Sequence, residues 1–331
     1  MLKESTMNNL PKVTIITCVW NLLKEDRIET FRQTMESVHG QTYADIEHII
    51  INNNSTDGTD RLIDEYVSKG WAVCHFHPVQ GLWHAMNRGI EVATGEYINF
   101  MNSDDCFVHE DTVSIAVKAL TENNAEWFYA DANRLFEDGR VGRWHIPDVI
   151  NIAFGQCPCH QTLFMSTKTI REFGGFDLTF PLCCDDRMFL RLLAEGRRYV
   201  FWPKPIANFR QGGFSSKQTG YQNEYAQNFY NQFGKTWGMT FEECKAIYLL
   251  NSFSNNSISN NFKLAKKIKN KEWRCFFKKK YKEYLASLKQ TTFSLFGVIP
   301  IFKLRREPHS GCIYLFGFIP VLRKQKGGNT L

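Results

Sequence analysis

The chain is predicted to fold as an α/β protein with a mostly parallel sheet flanked by helices. Three observations lead there. Between Val13 and Met101, four short apolar runs rich in β-branched and aromatic residues alternate with segments of helical periodicity. The connections between them are short, so each helix must act as the crossover between parallel strands. Polar loops follow three of the strands, at the carboxyl ends where open sheets of this kind bind ligands.

Val13 to Val19 reads as the first buried strand and breaks at Trp20-Asn21. Ile28, Phe31, Met35 and Val38 then recur at helical spacing, giving an amphipathic helix to about His39. Ile46 to Ile51 is the second strand and runs into the polar loop Asn52 to Thr59, where Asp57 or Thr59 can cap the helix carrying Leu62, Ile63 and Tyr66. Ala72 to Phe76 is the third strand, Leu82 to Ala93 the third helix and Tyr97 to Met101 the fourth strand. A helix from Asp111 to Glu122 buries Val113, Ala116, Val117 and Leu120, and Trp127 to Ala130 follows as a strand. Glu137-Asp138-Gly139-Arg140 has the chemistry of a hairpin turn. After Cys157-Pro158-Cys159-His160-Gln161 come an apolar segment, a short helix ending at Gly174-Gly175, and a periodic helix from Asp185 to Glu195.

Residues 221–250 read as helical and 251–261, rich in Ser and Asn, as a linker. The expected organisation is a body over 1–220, closing helices and linker over 221–261, and a basic aromatic extension over 262–331. The extension carries 17 Lys and Arg against 3 Glu, a charge of +14, while the rest of the chain has 23 basic and 31 acidic residues, a charge of −8. It also holds an internal repeat, Leu295-Phe296-Gly297-Val298-Ile299-Pro300-Ile301 and Leu315-Phe316-Gly317-Phe318-Ile319-Pro320-Val321, read as a pair of short strands or turns.

With 43% apolar and 14% aromatic residues the chain can bury a sizeable core. No apolar stretch approaches the roughly 20 residues a membrane-spanning helix needs. Met1 to Asn9 is polar and the ten cysteines are irregularly spaced, so a reducing cytoplasm is expected and disulfides are not. Cys157, Cys159, His160, Cys183 and Cys184 are zinc-ligand types, but their spacing fits no common zinc module and buried thiols are expected.

Asn102-Ser103-Asp104-Asp105, directly after the fourth strand, fits two readings. It is either an Asp-rich turn before a helix or a site for a hard divalent cation, which prefers carboxylate and phosphate oxygens. Asp185 has the same duality: at a helix N-terminus it is a favourable cap, and it is also a candidate proton acceptor.

Val13 to Asn21, Asn52 to Thr59, Gly81 to Gly95, Asn102 to Asp105 and Asp185 to Leu192 resemble, in order and spacing, the motifs of family 2 glycosyltransferases. The resemblance spans about residues 11–215 and implies an inverting enzyme of GT-A fold, similar to bacterial transferases that build lipopolysaccharide, capsule or exopolysaccharide. It places Asp105 on a divalent cation (Mn²⁺ or Mg²⁺) and Asp104 on the nucleotide ribose or the metal shell. Thr17 and Asn21 fall on the first nucleotide-contacting loop, Asn52, Asn54 and Asp57 on the loop that holds the base, and Asn87 with Gly89 on the helix that contacts the donor. Asp185 falls on the catalytic base, with Asp186 as second choice. His160, Gln161 and Arg210 fall on the acceptor or diphosphate side.

Asn52-Asn53-Asn54 departs from the family's usual acidic residue, and His84 stands where relatives carry Asp. The Gln-x-x-Arg-Trp signature of processive synthases is missing, so a single addition is expected. The resemblance implies a nucleotide-sugar donor, UDP favoured, and a lipid-linked oligosaccharide or polysaccharide acceptor. The basic extension suggests an anionic membrane surface at the cytoplasmic face of the inner membrane rather than nucleic acid, since no nucleic-acid module is visible. Two other readings stand beside this one. A nucleotidyltransferase would need a Gly-rich phosphate loop near the N-terminus, which this chain does not have, and a non-catalytic scaffold would lose the Asp pairs, which it keeps.

Overall fold

The computed structural model describes residues 10–79, 81–212, 221–251, 264–287, 290–295, 299–306, 312–315 and 319–323. These divide into two compact units, Met1–Gln232 and Phe233–Leu331.

The first unit is built on β1 (Val13–Val19), whose seven residues are all buried. A strand with neighbours on both edges and layers on both faces buries both sets of side chains, which is why its sequence shows no polar–apolar alternation, and its two threonines, Thr14 and Thr17, are hydrogen-bonded. It pairs in parallel with β2 (Ile46–Asn52) and, on its other edge, with β4 (Tyr97–Phe100), and β2 pairs in parallel with β3 (Val73–Phe76). The crossovers are α1 (Ile28–His39), α2 (Thr59–Ser68) and α3 (Leu82–Val92). α1 buries Phe31, Thr34, Met35 and Val38 at 3.6-residue spacing, each large apolar side chain contributing about 1.5–3 kcal/mol. α3 lies close over β1 because Gly89 has no side chain: a Cβ there would meet Ile16 Cγ2 at 2.6 Å.

Beyond β4 the sheet becomes mixed. Its strand order is β3-β2-β1-β4-β8-β6-β9-β5, with β7 paired to β6. The later elements are β5 (Cys106–Phe107), α4 (Thr112–Glu122), β6 (Trp127–Leu135), β7 (Val141–Trp144), α5 (Ile150–Ala153), a 3₁₀ turn at His160–Thr162, β8 (Phe164–Ser166), α6 (Thr167–Glu172), α7 (Cys184–Ala194), β9 (Tyr199–Arg210) and α8 (Tyr221–Phe229). β8 enters from the 3₁₀ turn rather than from a crossover helix and runs antiparallel to both β4 and β6. The expected mostly parallel sheet therefore holds for the N-terminal strands.

β6 is longer than expected because its second half, Asp131 to Leu135, pairs in parallel with β9 and, from Ala132 onward, with β7 in the hairpin that Asp138-Gly139 turns. β9 escapes a sequence reading because Pro203 and Pro205 lie inside it. The structure accommodates them where the register against Ala130 to Ala132 shifts, since a bulge tolerates residues that cannot donate to the ladder.

The second unit contains α9 (Lys235–Trp237), α10 (Phe241–Asn251) and α11 (Lys271–Ser287). Phe233, Trp237 and Trp273 form an aromatic cluster with ring centroids 4.7 to 5.6 Å apart. α11 buries Trp273 and Phe277 and exposes Lys271, Lys279 and Lys282. The four strands β10 (Gln290–Leu295), β11 (Ile299–Arg306), β12 (Cys312–Leu315) and β13 (Ile319–Arg323) form an antiparallel meander. The sequence repeat becomes a structural one: register shifts fall at Phe293/Ser294 and Ile313/Tyr314, opposite Pro300 and Pro320. The expected linker from 252 onward and the repeat turns at 296–298 and 316–318 lie outside the described residues, as does Gly213 of the Arg210 to Gly213 segment.

Candidate active site

The nucleotide-side residues come from the loops after β1 and β2, and their side chains tie those loops together. Asn21, in the left-handed region at φ 46°, donates its N–H to Ser55 Oγ at 3.0 Å and accepts the Thr56 N–H at 2.9 Å through Oδ1. Asn52 Oδ1 accepts the Ser55 N–H at 3.1 Å. Asp57 accepts the Lys24 N–H at 2.8 Å and both the N–H and hydroxyl of Thr59. Burial alone would raise the Asp57 pKa, but these hydrogen bonds hold it below the usual value. Asn54 supplies another left-handed turn residue at φ 57°. Asn21, Asn52, Asn54 and Asp57 are thus brought together as the frame of one wall.

Thr17 and Asn87 are placed differently from expectation. Thr17 is fully buried within β1, with Oγ1 3.0 Å from His48 Nε2, so it lies beneath the crevice. Burial, then the charge of His39, lowers the His48 pKa to about 3, which keeps that ring neutral. Asn87 spends its amide on one backbone unit, donating to the Phe176 carbonyl at 2.9 Å and accepting the Phe176 N–H at 2.7 Å. It clips the segment before α7 onto α3, with Trp83 Nε1 donating to the Pro181 carbonyl at 2.7 Å as a second clip. A Cβ on Gly175 would fall 2.5 Å from Asn87 Oδ1, so the clip requires glycine there.

The Asn102 to Asp105 turn meets the 3₁₀ turn and the end of β9. Asp105 is 2% exposed. Its Oδ2 accepts from Gln161 Nε2 at 2.5 Å and its Oδ1 from the Arg210 N–H at 2.8 Å. Burial, then the Asp104 carboxylate, pushes its pKa well above the usual carboxylate range, against the pull of Arg210 and Gln161. Asp104 keeps 14% of its side chain exposed and pairs with Arg27 at 3.2 Å. Arg210 donates from Nε to the Asp104 carbonyl and from Nη2 to Gln33 Oε1. The cation was expected on Asp105; of the two carboxylates Asp105 is the more enclosed, at 2% exposure with one protein donor on each oxygen, and Asp104 is the more exposed.

His160 connects this turn to α7. Its Nε2 lies 3.2 Å from Asn102 Nδ2 and its Nδ1 lies 3.2 Å from Asp185 Oδ2. An amide nitrogen can only donate, so Nε2 accepts, the ring proton sits on Nδ1, and Nδ1 donates to Asp185. Trp83 stands edge-on to the same ring at 6.4 Å. Asp185 also accepts the Asp186 N–H at 3.0 Å and keeps 27% of its side chain in contact with solvent.

Asp186, the second candidate base, has part of its surface open but is ringed by protein and bonded to the Cys157 thiol. Burial, then the Asp185 charge beside it, raises its pKa to about 7. Asp185, carrying the histidine contact, is the better placed of the two. An unfolded chain ionises Asp186 near the ordinary 3.8, so the folded state holds the extra proton between that value and about 7. The stability this group confers is complete below about pH 3.8 and is lost as pH rises through 7. Asp186→Asn should therefore melt close to wild type at pH 4 and progressively above it toward pH 7.5. A melting-temperature gap that stays constant across that range would contradict the assignment.

Cys157, Cys159, Cys183 and Cys184 are free and buried, and burial raises the thiol pKa of each. Among the described residues no cluster of three or more His, Cys, Asp or Glu could hold a metal. A cavity of about 520 Å³ lies beside α7, lined by Asn87, Phe176, Asp177, Cys184, Arg187 and Arg191. Asp104, Asp105 and Asp185 are not among its walls, so it is distinct from the crevice where the carboxylates meet. Sequence reading missed Arg27, Gln33 and Trp83. Arg27 lies in the loop after β1, where a cation facing the Asp pair could have been sought, whereas nothing in the sequence marks Gln33 or Trp83.

The model of Glycosyl transferase family 2 matches residues 14–197. An uncharacterized glycosyltransferase of Mycobacterium tuberculosis is 33% identical over 193 residues, 56% of this chain and 70% of that protein. A PGL/p-HBAD biosynthesis glycosyltransferase of Mycobacterium bovis is 25% identical over 154 residues, 46% of this chain and 59% of its own length. Among solved structures, S. aureus TarS 1-349 in complex with UDP superposes with a TM-score of 0.58 at 13% identity, covering 93% of this chain and 99% of that one. The chain spans 60% of the longer TarS structure. The mannosyltransferase PcManGT from Pyrobaculum calidifontis, in complex with GDP-Man and Mn²⁺, gives 0.50 at 16% identity over 85% of this chain and 87% of its own. At such identities the structures attest the GT-A-like fold, and the family match covers more than half of the sequence with every carboxylate of the crevice inside it. The chain belongs to glycosyl transferase family 2.

Proposed function

We propose that the protein moves a single sugar from a UDP-sugar to a hydroxyl of a lipid-linked oligosaccharide or polysaccharide acceptor, with inversion and with help from a divalent cation. The observation that carries this reading is the Asn102, His160, Asp185 hydrogen-bond chain. It joins the turn that bears the Asp pair to the helix that bears the candidate base, so donor and proton acceptor share one crevice. The UDP and UDP-GlcNAc complexes of TarS and the GDP-Man complex of PcManGT support a nucleotide-sugar donor.

The residues present fit a hard cation: Asp104 offers an accessible carboxylate, and phosphate oxygens of the donor would complete an oxygen-only set. When bound, the cation would supply Lewis-acid neutralisation of the departing diphosphate. Asp105, fixed by Gln161 and the Arg210 N–H, holds the turn in place. Arg27, now paired with Asp104, sits where it can add positive charge at the same point. Asp185 takes the proton of the attacking hydroxyl, oriented by His160. Attack from the face opposite the leaving group inverts the anomeric centre. With α-configured UDP-GlcNAc, Mn²⁺ or Mg²⁺, and water as acceptor, proton NMR should record β-GlcNAc as the first product, ahead of mutarotation. An α-sugar formed first, or no UDP release, would contradict the reading.

The second unit suits attachment to the cytoplasmic face of the inner membrane. α11 turns Lys271, Lys279 and Lys282 outward, each worth about 1 kcal/mol near an anionic leaflet. Among the described residues no helix is long and apolar enough to cross a bilayer. Co-sedimentation with anionic liposomes that persists after removal of residues 262–331 would argue against this attachment.

A further inference from the structure

Arg134 stands apart from the other arginines. Its guanidinium lies over the Trp144 ring, with Cζ 4.5 Å from the centroid. Its Nε is shut off from water and meets no acceptor. Among the described residues the other half-buried arginines of the first unit, Arg27, Arg88, Arg187, Arg191, Arg197 and Arg210, each have a hydrogen bond or an ion pair. A buried donor without a partner carries a desolvation cost that a folded chain normally avoids. The terminal Nη groups are not closed off in this way and have no hydrogen bond or ion pair among the described residues, and a guanidinium stacked on an indole by its face leaves them to meet a ligand.

The platform is fixed. Trp144 donates from Nε1 to the Cys157 carbonyl at 2.9 Å and receives the Phe209 ring edge-on at 5.5 Å. Phe209 is the register partner of Arg134 across β6 and β9, and the next pair, Leu135 and Arg210, brings in the residue whose N–H holds Asp105. That register puts Arg134 one residue from the β6 position opposite Arg210, at the end of the sheet where Asp105 is held. The nucleotide-side loops, in contrast, follow β1 and β2, and in strand order β4 and β8 separate these from β6.

We propose that Arg134, supported by Trp144, is a subsite for a phosphate-type oxyanion on the acceptor, so that the acceptor bears a negative charge near the hydroxyl that is glycosylated. This rests on the reading that the α7 side of the crevice receives the acceptor. A planar fork matches a phosphate or carboxylate oxygen pair, and such charge-assisted bonds are the strong ones.

The test is calorimetric titration of inorganic phosphate into the full chain, first with Mg²⁺ alone and then with Mg²⁺ and saturating UDP. Wild type should bind phosphate equally in both states. Arg134→Met should weaken binding tenfold or more, and Arg134→Lys, keeping charge but losing the fork, should fall between. The melting temperature of Arg134→Met should be no lower than that of wild type, which a purely structural arginine would not allow. Phosphate binding that UDP abolishes would assign Arg134 to the donor diphosphate and overturn the proposal. So would binding unchanged in Arg134→Met, or no binding by wild type at tens of millimolar. Failure of UDP itself to bind, with Arg134-dependent phosphate binding intact, would count against the transferase reading alone.

Discussion

Asp185→Asn should lose about 10²- to 10⁴-fold in turnover, the usual contribution of a positioned general base, while UDP binding stays at the wild-type level. The amide retains the shape of the carboxylate, and its single oxygen can keep one of the two bonds that Asp185 accepts on separate oxygens, from His160 Nδ1 and from the Asp186 N–H; with 27% of the side chain in solvent, the other donor can turn to water, so the fold should survive. The stability change should stay near the 0.3–1 kcal/mol typical of a carboxylate at a helix N-terminus. Removing the Asp185 charge also removes one of the two influences that raise the Asp186 pKa, so that group should titrate lower in the variant. Loss of UDP binding and of melting temperature together would show that Asp185 is a helix cap and nothing more. The measurement is steady-state UDP release beside calorimetric UDP affinity on the same preparations.

Asp104 and Asp105 are adjacent, yet their variants should fail in different ways. Asp104→Asn removes the accessible charge at the crevice and releases Arg27. It should lose cation-dependent UDP binding by tenfold or more with little change in melting temperature, because a single, partly exposed ion pair outside any network is worth about 0–1 kcal/mol. Asp105→Asn puts an amide where Gln161 and the Arg210 backbone both donate, so one buried donor must face another. That arrangement should destabilise the protein by about 1–3 kcal/mol and loosen the turn, with UDP affinity falling as a consequence. Equal destabilisation by both, or metal dependence lost only in Asp105→Asn, would return the cation to Asp105.

The parts of the fold that depend on local pattern were readable in the chain. β1, β2 and β4, with α1, α2 and α3, follow from apolar periodicity, and the joining of the Asn21 and Asn52 loops, and of Asp104 to Arg27, follows from their common place after strands. β9 was not readable, because two prolines disguise a strand that only a bulge opposite Asp131 can accommodate. Side-chain roles were harder still. Thr17 sits where the family motif falls, but the pleat of β1 turns it onto His48. Asp105 follows Asp104 by one residue, but only the distant Gln161 and Arg210 decide which of the two is closed off. The His160 bond to Asp185 joins residues 25 apart, and the isolation of Arg134 is a property of its surroundings that no sequence pattern records.

The most direct test of a cation-assisted nucleotide-sugar crevice is the calorimetric titration of UDP into wild type and Asp104→Asn, each with Mn²⁺, with Mg²⁺ and with chelator. The structure predicts saturable UDP binding to wild type that depends on the cation and is lost in Asp104→Asn. UDP affinity that is the same with chelator and in the variant would contradict it.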